Sequence, residues 1–85
     1  MSKDRRKHLL DAPPSAKLVY KTLEYEGELT QGQLSEETLL PTRTVRYALK
    51  ELMDRNVVEE QMYFADARKR LYSIAIPDEA SDATE

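Results

Sequence analysis

Residues 42–55 of the 85-residue chain have the sequence TRTVRYALKELMDR. At 100° per residue, five apolar residues share one face of a helix over this segment, and three basic residues and a tyrosine share nearly the opposite face. The apolar residues are Val45, Ala48, Leu49, Leu52 and Met53, and the opposite set is Arg43, Arg46, Tyr47 and Lys50. Glu51 and Asp54 confine the cationic surface to the first half of the helix. The pattern predicts a helix that packs through one side and presents cations on the other.

The ends of this helix are marked by capping residues. Thr42 is the predicted N-cap, and the alternative is a slightly earlier start with Pro41 at N1. Asn56, which tolerates left-handed geometry, is expected just after a helix that ends near Arg55.

Two further helices are predicted upstream. Pro13-Pro14 suits a helix start, and the apolar spacing of residues 15–26 predicts an amphipathic helix that ends at Gly27. Its core face consists of Ala16, Val19, Tyr20 and Leu23. Thr30 and Gln33 match a capping box, which predicts a short helix over residues 31–38. Residues 39–41 (Leu-Leu-Pro) then form the turn to the third helix.

Downstream of the third helix, two segments are rich in β-branched and aromatic residues. Residues 57–64 and 69–76 are predicted as two strands of a hairpin, joined by a loop over residues 65–68. Three helices followed by a hairpin, with a tight turn between the second and third helix, predict an α+β, mostly α, winged helix-turn-helix. Tyr63 and Tyr72 are expected to pack within the hairpin.

The ends of the chain differ from this domain in composition. Residues 1–12 are polar and charged and are predicted to form a flexible basic arm, residues 13–76 the domain, and residues 77–85 a disordered acidic tail. Cysteine is absent, and no apolar run is long enough to span a bilayer. We therefore expect a soluble, cytoplasmic protein with no membrane partner.

Charge is unevenly distributed along the chain. The net charge of −3 and the pI of about 5.2 weigh slightly against nucleic acid as a partner. Cations, however, gather in three clusters, which are Lys3, Arg5, Arg6 and Lys7, then Arg43, Arg46 and Lys50, and finally Arg68, Lys69 and Arg70. A molecule with one basic face is expected, and that face would attract a duplex.

The third helix of a winged helix-turn-helix enters the major groove of DNA, which makes its exposed residues candidate contacts. Arg43, Arg46 and Lys50 suit guanine edges or phosphates. Thr42 and Thr44 suit phosphates at the helix start, and Tyr47 suits a thymine methyl group or a phosphate. At the hairpin, Arg68, Lys69 and Arg70 are predicted to lie along the neighbouring backbone or minor groove.

Four parts of the sequence resemble a known family of proteins. They are Leu29-Thr30-Gln31 through Leu34, then Leu40-Pro41-Thr42-Arg43-Thr44-Val45-Arg46-Tyr47-Ala48-Leu49, then Leu52, and finally Val57-Val58. Over about residues 14–76 the chain is similar to small archaeal winged-helix regulators of the broad MarR-like group. The resemblance implies that Thr42, Arg43, Thr44, Arg46, Tyr47 and Lys50 face the groove and that residues 68–70 belong to the wing. Full-length MarR-type regulators dimerise through long terminal helices, for which this sequence offers no counterpart.

A homodimer could instead use the first helix and the arm. Leu18 and Tyr25 lie opposite the core face of that helix, and Leu9 and Leu10 lie just upstream. Surplus apolar surface of this kind is a candidate interface. The alternative is that Leu9 and Leu10 fold back over Leu18 and Tyr25.

Other functions remain open at this stage. The main alternative is a winged helix that contacts protein within a transcription or replication assembly, and a third is binding of double-stranded RNA. The basic face could also be an ordinary solvated surface. No catalytic constellation is present, and the lone His8 does not make a metal site, so we expect neither an enzyme nor a cofactor.

Overall fold

The computed structural model describes residues 9–75, in which three helices pack on a three-stranded sheet. The helices are α1 (Pro14–Glu26), α2 (Gln31–Thr38) and α3 (Thr42–Asp54), and the strands are β1 (Glu28–Thr30), β2 (Val58–Met62) and β3 (Arg70–Ile74). The predicted winged helix-turn-helix, three helices with a β-hairpin wing, is therefore confirmed.

The ends of α1 and α2 follow the predicted residues. Gly27 ends α1 with φ +100° and donates its N–H to the Leu23 carbonyl at 2.8 Å. At the start of α2, Thr30 Oγ1 accepts the Gln33 N–H at 3.2 Å, and Gln33 Oε1 accepts the Thr30 N–H at 2.9 Å. Both halves of the capping box are present and satisfy two donors at the helix start.

The start of α3 differs from both predicted alternatives by one residue. Pro41 is the N-cap, with extended backbone, and its carbonyl accepts the Val45 N–H at 3.0 Å. Because the proline can supply this carbonyl without adopting helical geometry, Thr42 becomes the first helical residue rather than the cap. At the other end α3 stops at Asp54, and Asn56 has the left-handed geometry that was expected, with φ 63°.

The sheet contains one strand more than the sequence predicts. β3 lies in the middle and pairs antiparallel with β1 on one side and β2 on the other. The two predicted strands are shorter than expected at both ends. β1 has only three residues, which is too short for an alternating pattern, and it pairs Thr30 with Leu71.

The core lies between the helices and one face of the sheet. The largest fully buried side chains come from all three helices, and α2 contributes a single buried residue, Leu34. The six largest are Val19, Leu23, Leu34, Val45, Leu49 and Leu52. Tyr72 is buried and Tyr63 is half-buried, in agreement with hairpin packing. Burial of these apolar groups is the dominant stabilising term.

Where a flexible arm is predicted, the described residues 9–12 contact the domain. Leu9 packs against the core, Ala12 is buried, and the Ala12 N–H donates to the Leu9 carbonyl at 3.0 Å. Leu10 stays exposed, as do Leu18 and Tyr25 on α1, so this part of the chain does not cover them. The arm cations at positions 3–7 and the acidic tail lie outside the described residues. Within residues 9–75 no helix has the length and apolar character needed to cross a membrane.

Candidate nucleic-acid interface

The exposed face of α3 carries the predicted cations because its apolar face is fixed in the core. Val45, Ala48, Leu49 and Leu52 are buried, and Met53 packs against them. The opposite face of α3 points to solvent. Its side chains are all exposed, and they are Arg43, Arg46, Tyr47 and Lys50. At the helix start Thr42 is exposed and Thr44 is half-buried. The predicted residues of α3 therefore share one surface, with Thr44 at its inner edge.

The two arginines of this surface have no partner among the residues that the structure describes. Within residues 9–75, neither Arg43 nor Arg46 forms a hydrogen bond or a salt bridge. Lys50 lies 3.8 Å from Asp54, but both side chains are largely exposed and such a pair contributes little. The first turn of α3 contains no acidic residue. The guanidinium groups are thus available to a ligand.

Hydrogen bonds fix the turn that orients α3. The Leu40 N–H donates to Thr38 Oγ1 at 3.2 Å, and the Leu40 carbonyl accepts from Ser35 Oγ. Gln31 Nε2 donates to the Thr42 carbonyl at 3.5 Å, which links the starts of α2 and α3. These side-chain bonds replace the helical bonds that the turn interrupts. The orientation of α3 relative to α2 is therefore set locally.

The predicted wing cations lie at the loop between β2 and β3, and two of them have partners. Arg68 Nε donates to Asp66 Oδ1 at 3.2 Å, and this contact lowers the pKa of the Asp66 carboxyl below its usual 3.8. Arg70 Nη1 donates to the carbonyls of Ala67 and Lys69, at 3.0 and 3.3 Å. Arg68, Lys69 and Arg70 are all exposed. The wing cations remain at the surface, with Arg68 and Arg70 held in place.

An open cleft of about 260 Å³ separates the wing from the start of α2. It is lined by Thr30, Gln31 and Gly32 on one side and by Arg68, Lys69, Arg70 and Tyr72 on the other. The pairing of β1 with β3 brings these two segments together. Gln31 and Gly32 are not among the predicted site residues, because the three-residue strand that places them beside the wing has no signal in the sequence.

Tyr72 of β3 lies beside the candidate interface, in the wall of the cleft between the wing and the start of α2. Burial raises the pKa of the Tyr72 phenol above its usual 10.0, and the Glu60 carboxylate adds to this shift. The positive charges of Arg70 and Arg46 act in the opposite direction. Arg46 of α3 therefore lies within electrostatic reach of Tyr72 on β3.

Acidic side chains line a different part of the surface. Glu24, Glu28 and Glu59 border an open cleft of about 370 Å³ between the end of α1 and the sheet face at Ser73. None of the predicted site residues lines it. In residues 9–75 no group of three or more histidine, cysteine, aspartate or glutamate side chains is placed to hold a metal ion.

A family model described as winged helix-turn-helix DNA-binding matches residues 15–59, which is more than half of the chain. The chain belongs to this winged helix-turn-helix DNA-binding family. The match runs from α1 through α3 into β2, so it includes the cationic surface of α3 and ends before the loop of the wing.

Solved structures share the fold of this winged helix. The PcaV transcriptional regulator from Streptomyces coelicolor is 20% identical, with a TM-score of 0.73, over 86% of this chain and 50% of that one. The MarR family transcription regulator SP03579 is 18% identical, with a TM-score of 0.73, over 93% of this chain and 53% of that one. Stf76 from the Sulfolobus islandicus plasmid-virus pSSVx is 24% identical, with a TM-score of 0.65, over 86% of this chain and 96% of that one.

The winged helix spans about half the length of the first two of these proteins. MarR-family regulators are thus among its structural neighbours, as the resemblance implies, while its archaeal origin stays a prediction. No curated protein sequence matches the chain.

Proposed function

We propose that this winged helix is a MarR-like transcription regulator that binds double-stranded DNA in a sequence-specific manner. The proposal depends chiefly on one observation. Arg43 and Arg46 stand on the solvent face of α3, opposite its buried residues, with no hydrogen bond or salt bridge within residues 9–75. Membership of a DNA-binding family and structural neighbours that are transcription regulators support the same function.

In this proposal the first half of α3 lies in the major groove. Arg43 and Arg46 donate to guanine O6 and N7, a geometry in which one bidentate arginine discriminates between bases by about 1–3 kcal/mol. Lys50 and Tyr47 contact base edges or phosphates farther along the helix. Thr42 and Thr44, with the free N–H groups of the first turn, hold a phosphate.

The wing and the start of α2 hold the flanking backbone. Lys69 and Arg70 contact phosphates from one side of the cleft, and the side chain of Gln31 does so from the other. Arg68 exchanges Asp66 for a phosphate or enters the minor groove. These contacts set the register of the protein on the duplex and carry no base information of their own.

The protein acts by binding and not by catalysis, in the cytoplasm that its sequence predicts. We further propose a homodimer through α1 and the preceding segment, where Leu10, Leu18 and Tyr25 leave apolar surface exposed. A two-fold protein would bind two half-sites about one helical turn apart.

The proposal is tested by titrating fragments enriched by chromatin immunoprecipitation with wild type and an Arg43→Ala/Arg46→Ala variant. The matched control is Lys17→Ala/Lys21→Ala, which removes the same charge from exposed positions of α1, and analytical ultracentrifugation checks that both variants keep the oligomeric state of wild type. Because α1 and α3 pack through their core faces, these lysines point away from the recognition face. The arginine variant should lose about 1–3 kcal/mol of binding free energy for each guanine contact and lose its preference for the enriched site over other sequences, while the control does neither.

Equal affinity of the arginine variant and wild type would overturn the proposed recognition helix, provided circular dichroism shows both to be folded. A module that contacts protein would instead capture a partner and leave genomic fragments unshifted. Preference for an RNA duplex in competition would indicate the third function.

A further inference from the structure

The tip of the wing exposes an aromatic side chain for which the proposed contacts give no role. Phe64 is 100% exposed, and Met62, two residues earlier on β2, is 56% exposed. Each is a large apolar group held in water, and together they form an apolar tip. Met62 pairs with Arg70 across β2 and β3, so the apolar tip adjoins the wing cations.

The position of Phe64 is fixed by the backbone of the loop. The Asp66 N–H donates to the Tyr63 carbonyl at 3.0 Å, so Phe64 is the second residue of a hydrogen-bonded turn. In a second turn, the Lys69 N–H donates to the Asp66 carbonyl at 2.9 Å. The Tyr63 N–H donates to the Lys69 carbonyl at 3.2 Å, and this bond closes the loop. Phe64 therefore lies at the start of a loop that is closed by backbone hydrogen bonds, with its side chain fully exposed.

The charges around Phe64 select the kind of partner. Arg68, Lys69 and Arg70 follow within six positions and are all exposed, and Asp66 pairs with Arg68, so the flank of Phe64 keeps a net positive charge. A duplex has the complementary arrangement, because stacked base pairs lie between two rows of phosphates. Proteins that enter the minor groove often insert an apolar side chain between base steps and kink the DNA toward the major groove.

We propose that Phe64 is a wedge that inserts between two base pairs of the minor groove beside the site bound by α3. Arg68 and Lys69 hold the phosphates on either side, and Met62 covers the edge of the opened step. The insertion is easiest at flexible pyrimidine–purine steps, so the wing selects sequence through deformability and without hydrogen bonds to bases. This inference rests on the proposed function, because the wing reaches DNA only if α3 binds it.

The experiment measures both affinity and DNA bending, using an enriched fragment labelled at its two ends for energy transfer. Phe64→Ala removes the wedge, and Phe64→Leu keeps an apolar one. Leu39→Ala is the control, since Leu39 is a large apolar residue of the turn before α3 that is 88% exposed and belongs to none of the proposed interfaces. None of these side chains belongs to the core, so all three variants should fold.

We expect Phe64→Ala to bind about ten-fold more weakly, to bend the DNA less and to keep the salt dependence of wild type, because no charge is removed. It should also lose the preference for a TA step over a stiff A-tract beneath the wing. Phe64→Leu should retain most of the bend, and Leu39→Ala should match wild type in affinity and bend.

Wild-type binding with an unchanged bend in Phe64→Ala would overturn the wedge and leave the proposed function intact. Weaker binding with the bend and step preference retained would also overturn it, because Phe64 would then only touch the surface of the duplex. Failure of wild type to bind any enriched fragment would overturn the proposed function itself.

Discussion

The guanidinium of Arg55 donates to the carboxylate of Asp11 at 2.7 Å, across 44 positions of sequence. Arg55 follows the last residue of α3, and Asp11 precedes the first residue of α1. The same guanidinium donates to Glu51 at 3.3 Å. One arginine therefore joins the end of α3 to the segment that leads into α1.

Replacing Asp11 with asparagine should lower stability in a pH-dependent way. The hydrogen bond and charge of Arg55 lower the pKa of Asp11 below its usual 3.8, so the carboxylate favours the folded state above about pH 4. That contribution is lost as pH falls through the lowered pKa. Urea unfolding should therefore separate wild type from Asp11→Asn near neutral pH, and the difference should shrink as the pH falls below the usual pKa of an aspartate.

The control for this experiment is Asp54→Asn, which breaks the long and exposed contact to Lys50 and should have a smaller effect. A difference between wild type and Asp11→Asn that stays constant over the whole pH range would contradict the role of the ion pair. Such a constant difference would mean that the asparagine side chain lowers the stability by another route than the loss of the charge.

Leu39 occupies a conformation that leucine tolerates poorly. It caps α2 with φ 64° and ψ 18°, and its side chain is 88% exposed. The left-handed geometry costs a non-glycine residue roughly 1–2 kcal/mol, and the exposed side chain offsets little of it. Leu39→Gly should therefore raise the free energy of unfolding by up to about 1 kcal/mol. Asn56→Gly should change the free energy of unfolding less, because asparagine already tolerates the φ of 63° at that position.

The two glycines should respond to alanine with opposite signs. Gly27 has φ +100°, and an added Cβ would meet no atom within 4 Å, so the cost of Gly27→Ala is backbone strain of about 1–3 kcal/mol. Gly32 lies in the first turn of α2, where a Cβ would be 4.0 Å from Thr30 Oγ1. Gly32→Ala should stabilise by about 0.5–1 kcal/mol. Thermal unfolding measures both, and destabilisation by Gly32→Ala would contradict the helical assignment.

Local chemistry explains which parts of this structure the sequence predicted. The apolar period of residues 42–55 and the capping box at Thr30 act within one helix, and both appear as expected. β1 escaped prediction because its three residues form a strand only through pairing with β3, more than 40 positions away. The partners of Arg68 and Arg70 likewise depend on how the loop closes. Charge on the α3 face was predictable, whereas the shape of the wing was not.

If the wing binds DNA as proposed, the Asp66 carboxylate competes with the duplex for the guanidinium of Arg68. In Asp66→Asn the side-chain oxygen can still accept the Arg68 N–H, which it does at 3.0 Å in the turn, but the ion pair at 3.2 Å is lost. The wing should keep its shape, lose one negative charge and release one guanidinium. If Arg68 then contacts a phosphate, affinity should rise at low salt. The slope of log K against log salt concentration should steepen by the amount expected for about one further phosphate contact. Glu24→Gln, which neutralises a carboxylate 3.5 Å from Lys21 on α1, should leave both quantities unchanged. Weaker binding by Asp66→Asn would mean that Asp66 aims Arg68 at the duplex instead of restraining it.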